Sequence, residues 1–410
     1  MKGFSTKAVH GKTLRKDPHG ALRFPLYDSV AFEQESARDI QLAFEGRKPA
    51  HTYSRITNPT IEDFEQRVNL LADSLSVIAV SSGMASISNI ILAIAETGSN
   101  IITTKFLFGN TYSLLETTLK PWGLEVSYIN MEDTDRLRRS INAKTRAIFL
   151  EIITNPQLQV PNIKEITRVA GEYSVPVIVD GTLTTPYIFK SKDYGVSVEV
   201  LSSTKYISGG ATSVGGLIID NGTFDWEKCP KLEDSVKKYG EFALVSKLKR
   251  EVYRNLGACL SPHNAYLQTL GLETLSLRID KSCSNTLQIS EYLETCEKVR
   301  SVNYPGLKSS RYHEIAKAQF KGKFGGILTF ELENKDMCYA FMDGLKLIKR
   351  ATNLNDNKTL ILHPASTIYC EYSPKEKKEM GVSESMLRLA VGIEDVEDII
   401  EDINLSLAGI

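Results

Sequence analysis

The sequence lacks the features that would place the protein on nucleic acid, in a membrane or in a disulfide scaffold. The 49 lysines and arginines balance 50 aspartates and glutamates, which gives no electrostatic footprint for nucleic acid or an anionic membrane. The most apolar run, residues 87–95, is far too short to span a bilayer. The 6 cysteines include no C-x-x-C pair, so neither a zinc site nor a disulfide framework is indicated. We therefore expect a cytoplasmic protein without bound metal, whose ligands are small molecules.

The N-terminal region also lacks a targeting segment and a core of its own. No apolar stretch of the kind found in signal peptides occurs in residues 1–20. Prolines and glycines punctuate the first part of the chain, which predicts extended, irregular backbone apart from a short helix over residues 36–44. Such a segment cannot bury itself. We therefore predict that residues 1–60 form an arm that contacts a neighbouring subunit.

The chain of 410 residues is longer than one hydrophobic core usually serves, so two domains are expected. The first follows a helical pattern over residues 61–71 and alternates strand-like with amphipathic segments. The predicted strands are 77–80, 100–103, 125–129, 147–152, 175–179, 198–201 and 216–219, and the predicted helices are 84–96, 110–120, 134–142 and 163–173. This alternation predicts a large α/β domain over residues 61–257, built on a doubly wound, mostly parallel sheet.

The alternation stops near residue 257, where a long helical pattern from 263 to about 299 begins. Shorter elements follow it. Strands are predicted at 327–332, 359–362 and 387–391, and helices at 337–345 and 396–407. Residues 258–410 are therefore predicted to form a smaller α+β domain.

One stretch, residues 198–216, combines a short strand with a lysine among hydroxyls and glycines. Lys205 follows Ser202 and Thr204, and glycines close behind it would let a ligand approach the backbone. A lysine forms a Schiff base with a carbonyl, and hydroxyls suit phosphate oxygens; pyridoxal phosphate carries both groups. Taken alone, a lysine in such a position is more often a solvated loop residue, because lysines are mostly exposed.

Other polar residues lie at the ends of the predicted strands. Ser82, Gly83 and Met84 open a helix, either as an anion site or as an ordinary helix cap with a tight turn. Asp180 ends an apolar strand, so its carboxylate pairs either with a cation such as a protonated pyridine or with turn N–H groups. Asn155 likewise indicates either a turn or an amide that faces a cofactor oxygen. In parallel sheets, ligands bind beyond such strand ends.

Arg388 alternates with apolar neighbours on a short predicted strand near the C-terminus. Its planar guanidinium suits a substrate carboxylate, although an exposed strand arginine is the other interpretation. His363 precedes Ser366 but has neither metal-ligand spacing nor a hydrolase motif around it, so a serine hydrolase is disfavoured.

Phosphate donors, an amide, a carboxylate and a lysine thus occur in chain order at successive strand ends. With these motifs, the sequence closely resembles the pyridoxal-phosphate enzymes of cysteine and methionine metabolism, the cystathionine γ-synthase-like group of fold type I. The resemblance extends from His19 to the segment RLAVGIED at residues 388–395. It implies a fold type I transferase with pyridoxal phosphate as cofactor.

The resemblance also implies roles for individual residues. Lys205 would be the catalytic lysine that forms the Schiff base, and Asp180 would pair with the pyridine nitrogen. The other implied cofactor contacts are Asn155 on the ring oxygen, Phe108 stacked on the ring, Ser82, Gly83, Met84, Ser202 and Thr204 on the phosphate, and Tyr53 and Arg55 reaching the phosphate from a neighbouring subunit. Ser366 and Arg388 would bind the substrate carboxylate.

Within this group, residues 257–265, 271–278, 302–307 and 358–367 most resemble the O-acetylhomoserine sulfhydrylases. That resemblance implies γ-replacement in methionine biosynthesis, in which O-acetylhomoserine and sulfide, free or from a carrier, give homocysteine and acetate. It also implies a homotetramer of dimers with shared active sites. Methionine γ-lyase, cystathionine γ-synthase or γ-lyase, and a non-catalytic cofactor-binding subunit are the alternatives. Phe108 departs from the tyrosine usual in the family, and Asn110 from the cysteine common in γ-lyases.

Overall fold

The structure, a computed structural model, describes residues 3–11 and 17–410. The chain begins with the helices α1 (Phe4–His10), α2 (Ala37–Phe44) and α3 (Pro59–Ala72). Helix α2 agrees with the sequence prediction, but α1 lies where extended backbone was expected. Phe4 and Ala8 lie on one face of α1 and pack into the core of their own chain, against α3. The start of the predicted arm is therefore anchored within this chain; residues 1–2 and 12–16 of that arm lie outside the described residues.

A large sheet forms the centre of the molecule. Its strands among the described residues are β1 (Ser76–Val80), β2 (Asn100–Thr103), β3 (Glu125–Tyr128), β4 (Thr145–Glu151), β5 (Val177–Asp180), β6 (Val198–Leu201) and β7 (Gly216–Asp220). They lie in the order β1-β7-β6-β5-β4-β2-β3. Only β7 pairs antiparallel with its neighbours in this part of the chain. The predicted doubly wound, mostly parallel sheet is confirmed.

Helices cover both faces of this sheet. They are α4 (Gly83–Ile94), α5 (Gly109–Ser113), which continues as a π-helical turn over Leu114–Leu119, α6 (Thr134–Ser140), α7 (Ile163–Glu172), α8 (Thr185–Ile188), α9 (Glu233–Tyr239), α10 (Ala243–Lys247), followed by a π-helical turn over Leu248–Val252, and α11 (Tyr253–Leu256). Successive residues of β4 point to opposite faces, so Ile148 and Leu150 pack in one core while Ala147 and Phe149 pack in another. Helices α8 to α11 were not predicted from the sequence.

Two helices link the large sheet to the second one, α12 (Pro262–Glu273) and α13 (Leu275–Glu294). The helical pattern predicted from residue 263 to about 299 corresponds to these two helices, which are separate because the backbone leaves helical geometry at Thr274. The buried Arg278 guanidinium donates to the Gly271 and Tyr206 carbonyls, both at 2.7 Å. It thereby satisfies the end of α12 and ties it to the loop that follows Lys205.

The second sheet is built from β8 (Ser301–Asn303), β9 (Ile327–Glu331), β10 (Lys349–Arg350), β11 (Leu360–Leu362) and β12 (Met386–Ala390), in the order β10-β11-β12-β9-β8. The helices around it are α14 (His313–Phe320), α15 (Lys335–Gly344), α16 (Pro374–Glu379) and α17 (Val396–Ala408). The sequence predicted β9, β11, β12, α15 and α17. The unpredicted strands β8 and β10 are too short to show a hydrophobic period. In the described part of the chain, no helix has the length and apolar character needed to cross a bilayer.

Candidate active site

A cavity of about 300 Å³ lies beyond the carboxyl ends of the parallel strands. Most of the residues that the sequence singled out line it: Ser82, Gly83, Met84, Phe108, Asn155, Asp180, Ser202, Thr204, Lys205 and Arg388. These residues come from both sheets and from loops far apart in the chain. Because they surround one space, a single small ligand can contact them together.

One end of the cavity is formed by the start of α4. Ser82 caps this helix, since its Oγ accepts a hydrogen bond from the Ala85 N–H at 3.1 Å. The N–H groups of Gly83 and Met84 have no partner within the helix and suit an anion. A Cβ at Gly83 would lie 2.6 Å from Ser202 Cβ, so only glycine permits this close approach. The result is a narrow cradle of a kind that suits an anion, with Ser202 close to Gly83 at its edge.

Thr204 contributes to this region differently from the prediction. Its hydroxyl donates to the Gly215 carbonyl at 3.1 Å and accepts from the Gly215 N–H at 3.0 Å. The single hydroxyl proton is therefore used within the chain. Thr204 joins the lysine loop to the start of β7, and its contact with a phosphate stays a prediction.

Asp180 ends β5 and faces the cavity. One carboxylate oxygen accepts the Thr182 N–H at 2.8 Å, as in an ordinary turn. Burial raises the pKa of the Asp180 carboxyl above its usual value, and no ion pair of the described residues includes it. A carboxylate in this position is stabilised by a cationic or hydrogen-bond-donating group of a ligand.

Glu151, at the end of the neighbouring strand β4, is a site residue that the sequence reasoning missed. It lies in register with Asp180. Its two carboxylate oxygens accept the N–H groups of Phe108, at 2.5 Å, and Asn155, at 3.1 Å. Burial and, secondarily, the charge of Asp180 raise the pKa of Glu151 well above its usual value. An acidic residue at the end of an apolar strand was the available signal, and its structural consequence is that Glu151 holds two cavity-lining turns.

Lys205 projects into the cavity from the loop after β6. Its Nζ donates to Asn353 Oδ1 at 2.6 Å. Burial and the nearby positive charge of Arg388 lower the pKa of Lys205 to about 8, while Asp356 acts in the opposite direction. The amine is therefore much more readily deprotonated than an ordinary lysine, as a base or nucleophile requires.

Arg388, on β12, is only 1% exposed, so the interpretation as an exposed strand arginine is wrong. Its Nη1 donates to Asn155 Oδ1 and its Nη2 to the Asn353 carbonyl, both at 3.1 Å. Among the described residues, its Nε has no hydrogen-bond partner and no carboxylate forms an ion pair with it. Burial lowers the pKa of Arg388 to about 10. The chemistry of a buried guanidinium that faces a cavity suits an anionic ligand group.

Three of the predicted site residues lie elsewhere. Ser366 is not among the residues that line the cavity, and its hydroxyl hydrogen-bonds with His363 Nδ1 at 2.8 Å. Tyr53 is 41% exposed, and the Arg55 guanidinium lies 5.3 Å from its ring centroid. Arg55 also donates to the Arg254 carbonyl at 2.9 Å. Within one chain, these side chains do not take part in the site.

Tyr112 is the residue that could replace the hydroxyl missing at Phe108. Its ring instead packs against Tyr128 and Tyr372, with centroids 5.3 and 5.6 Å apart. It is not among the described residues that line the cavity. The phenyl ring of Phe108 therefore faces the cavity without a tyrosine hydroxyl from Tyr112 beside it.

The fold and the cavity are those of a pyridoxal-phosphate-dependent enzyme of fold type I. Three features of the cavity fit that cofactor. The anion cradle at Gly83 suits its phosphate, the Asp180 carboxylate suits its ring nitrogen, and Lys205, with its lowered pKa, suits its aldehyde. The family model for Cys/Met metabolism PLP-dependent enzymes matches residues 5–408. The chain belongs to this family.

Similar proteins span nearly the whole chain. It is 34% identical to the O-acetyl-L-homoserine sulfhydrylase of Corynebacterium glutamicum, over 100% of this chain and 97% of that one. A Campylobacter jejuni crystal structure with N'-pyridoxyl-lysine-5'-monophosphate at position 205 has a TM-score of 0.92 and 30% identity, covering 99% of this chain and 100% of that one. The O-acetylhomoserine sulfhydrylase of Wolinella succinogenes has a TM-score of 0.77 and 45% identity, covering 86% and 98%.

Proposed function

We propose that the protein is a cytoplasmic O-acetylhomoserine sulfhydrylase, which replaces the acetate of O-acetylhomoserine with sulfide to give homocysteine and acetate. The observation that carries this proposal is the buried Arg388 guanidinium, which has no carboxylate partner among the described residues and lies with Lys205 on one cavity. Together they suit an amino acid, with one cation for its carboxylate and one amine for its Cα proton. The names of the relatives from Corynebacterium glutamicum and Wolinella succinogenes support the choice of substrate.

Pyridoxal phosphate, when bound, supplies an aldehyde that condenses with amines and a ring that accepts electrons from the substrate. The residues that would hold it are Gly83, Met84 and Ser202 at the phosphate and Asp180 at the ring nitrogen. A charged Asp180 beside that nitrogen would keep it protonated. Burial of the Asp180 carboxyl limits the competition of water for the contact with the ring nitrogen.

The remaining steps depend on three other residues that line the cavity, Arg388, Lys205 and Asn155. Arg388 would bind the substrate carboxylate through its guanidinium and thereby orient the Cα–H bond. Lys205 would remove the proton from Cα, carry it, and return it when the product forms. The Asn155 amide oxygen already accepts from Arg388, so its Nδ2 is the donor that remains for the cofactor oxygen.

A comparison of three reactions tests the proposed function. We expect the holoenzyme to release homocysteine from O-acetylhomoserine and sulfide faster than it uses O-succinylhomoserine with cysteine or methionine alone. Homocysteine, cystathionine and methanethiol are measured in parallel by mass spectrometry. If cystathionine forms fastest, the protein is a cystathionine γ-synthase; no turnover with any amino acid would favour a non-catalytic subunit.

The phenyl ring at position 108 predicts a preference among leaving groups. Acetate departs readily as an anion, whereas a thiolate benefits from protonation as its bond breaks, because thiols have a much higher pKa. Without a phenol at Phe108, we expect acetate replacement to exceed methanethiol elimination from methionine by a wide margin. Phe108→Tyr is expected to narrow this ratio, and Tyr112→Phe, which alters a ring outside the cavity, to leave it unchanged. Wild-type methionine elimination as fast as sulfhydrylation would instead indicate a γ-lyase.

We further propose that the active site is shared between subunits of a homotetramer of dimers. The segment that carries Tyr53 and Arg55 exposes apolar side chains, among them Leu22, Val30 and Phe44, which are 106%, 61% and 64% exposed in the single chain. Several exposed apolar side chains in one segment favour burial of that segment against a second copy of the chain. Such a copy would bring Tyr53 and Arg55 to the phosphate end of its neighbour's cavity.

Subunit mixing measures whether the site is shared. Arg55→Ala and Lys205→Ala variants, each expected to be inactive alone, should regain part of the wild-type activity after subunits are exchanged. One site of each mixed dimer would then have both residues intact. Mixed oligomers, verified by native mass spectrometry, that remain inactive would place the complete site within one chain.

A further inference from the structure

A loop of the C-terminal part of the chain, residues 351–357, lies over the cavity between β10 and β11. Thr352 and Leu354 line the cavity, and the half-buried Asn353 lies between them in sequence. Asn353 Oδ1 accepts from Lys205 Nζ at 2.6 Å, and its Nδ2 donates to Asp356 Oδ2 at 3.0 Å. Because a carboxylate only accepts and an ammonium only donates, these two partners fix the orientation of the amide.

The main chain of Asn353 contacts Arg388, the other cationic residue of the cavity. The Asn353 carbonyl accepts from Arg388 Nη2 at 3.1 Å. Two features hold the loop in place. The Leu354 side chain is buried, with 5% of its surface exposed, and Asn355 Nδ2 donates a hydrogen bond to the Thr182 carbonyl at 3.4 Å. One residue therefore reaches both groups that the proposed function assigns to the substrate, through its side chain to the lysine and through its backbone to the arginine.

We infer that Asn353 is a positioning residue that receives the Lys205 amine whenever this amine is not linked to the cofactor, and holds it beside the substrate bound to Arg388. This role rests on the proposed function, in which the freed amine must carry a proton at Cα. A flexible lysine stem loses conformational entropy when it is held in one place, and a short hydrogen bond offsets that loss. An amide does so without a negative charge, so it does not retain the proton that the amine must release.

The electrostatic surroundings are consistent with this arrangement. Burial and, secondarily, the charge of Arg388 lower the pKa of the Lys205 amine, while Asp356 raises it. Asn353 is hydrogen-bonded to all three residues. A carboxylate in place of the amide would add a negative charge at hydrogen-bond distance from Nζ. It would favour the ammonium and slow every reaction of the amine.

Labelling of the cofactor-free, full-length protein tests the contact without any turnover. Acetic anhydride acetylates only the neutral amine, and peptide mass spectrometry gives the rate at Lys205 relative to the exposed Lys228. The pKa of Lys205 is lowered to about 8, so the labelling is carried out near pH 8. There we expect Asn353→Asp to slow acetylation of Lys205 by about fivefold or more, since a close carboxylate raises a lysine pKa by at least about one unit.

Asn357→Asp is the matched control, because it makes the same chemical change in the same loop. Its amide contacts the Gly209 carbonyl instead of the lysine, so we expect acetylation of Lys205 to slow by less than about threefold. An equal effect of both variants would reflect the charge of the loop alone and would overturn the inference. An unchanged rate in Asn353→Asp would overturn it as well.

The holoenzyme tests the consequence for catalysis. Asn353→Ala removes the amide but keeps the backbone carbonyl that holds Arg388. We expect kcat, and the exchange of the substrate Cα proton with deuterium followed by NMR, to fall by about tenfold or more, with KM for the amino acid nearly unchanged. A raised KM with unchanged kcat would overturn the inference, because Asn353 would then act through Arg388 alone. If no acyl-homoserine is sulfhydrylated, the proposed function fails while the labelling result still decides the Asn353 contact.

Discussion

Lys205→Ala is expected to abolish catalysis, with kcat for sulfhydrylation reduced by about 10³-fold or more. The variant removes both the amine that would bind the cofactor and the base that would move the Cα proton. Folding should be retained, since Lys205 is only partly buried and its Nζ makes a single hydrogen bond, to Asn353. Steady-state kinetics and the thermal unfolding midpoint are measured on the same preparations.

A chemical experiment assigns the lysine directly. Borohydride treatment of the wild-type holoenzyme should fix the cofactor covalently to Lys205, which peptide mapping then identifies. Lys228→Ala, a change at an exposed lysine, should keep full activity and the same label. A label on any other lysine would contradict the assignment of Lys205.

Arg388→Met is expected to reduce kcat/KM for O-acetylhomoserine by about 10²- to 10³-fold, the usual effect of removing one partner of a buried charge pair. The loss should appear in KM for the amino acid and not in KM for sulfide, because the guanidinium would bind the carboxylate. Arg388→Lys keeps the charge but loses the planar fork of the guanidinium. Its kcat/KM should therefore lie between that of Arg388→Met and that of the wild type.

The stability of Arg388→Met separates binding from folding. A buried guanidinium without a carboxylate partner is costly to desolvate, and an apolar replacement of similar length is often neutral or stabilising. The free energy of unfolding should therefore change by no more than about 2 kcal/mol despite the lost hydrogen bonds. Arg136→Met, at an exposed position, is the control. Unchanged KM for the amino acid in Arg388→Met would exclude the role in carboxylate binding.

The roles in these experiments differ in how far the sequence could predict them. Asp180 is the last residue of β5, and Lys205 lies in the loop that follows β6, so the pattern of one short segment was enough to place each near a strand end. Because these strands are parallel neighbours, both residues necessarily lie at the same edge of the sheet. Glu151 lies at the same edge, but a glutamate contact with two backbone N–H groups depends on turns that no local pattern predicts.

The contacts that Lys205 and Arg388 make in the cavity join parts of the chain that are far apart in sequence. Lys205 and Asn353 are 148 residues apart, and Arg388 and Asn155 are 233 apart. Such pairs form only when the second sheet packs against the first, and a residue's own neighbours in sequence do not encode that packing. Ser366 was predicted to bind the substrate carboxylate together with Arg388, but it lies outside the cavity. Its position, too, depends on long-range packing that local sequence does not encode.

The fold class, the order of the strands along the chain and the cluster of polar residues at their carboxyl ends could be predicted from the amino-acid pattern alone. Hydrophobic periodicity carries this information, because alternate burial on a strand and one-sided burial on a helix are local properties. Which polar groups are buried, and what they contact, depends on how the two sheets and their loops pack together. That packing had to come from the three-dimensional structure. In the structure, Arg388 is buried without a carboxylate partner among the described residues, and Asn353 accepts a hydrogen bond from the Lys205 amine. Tyr53 and Arg55 lie outside the cavity of the single chain. These outcomes follow from long-range packing, which determines desolvation and therefore the pKa and the chemistry of each group.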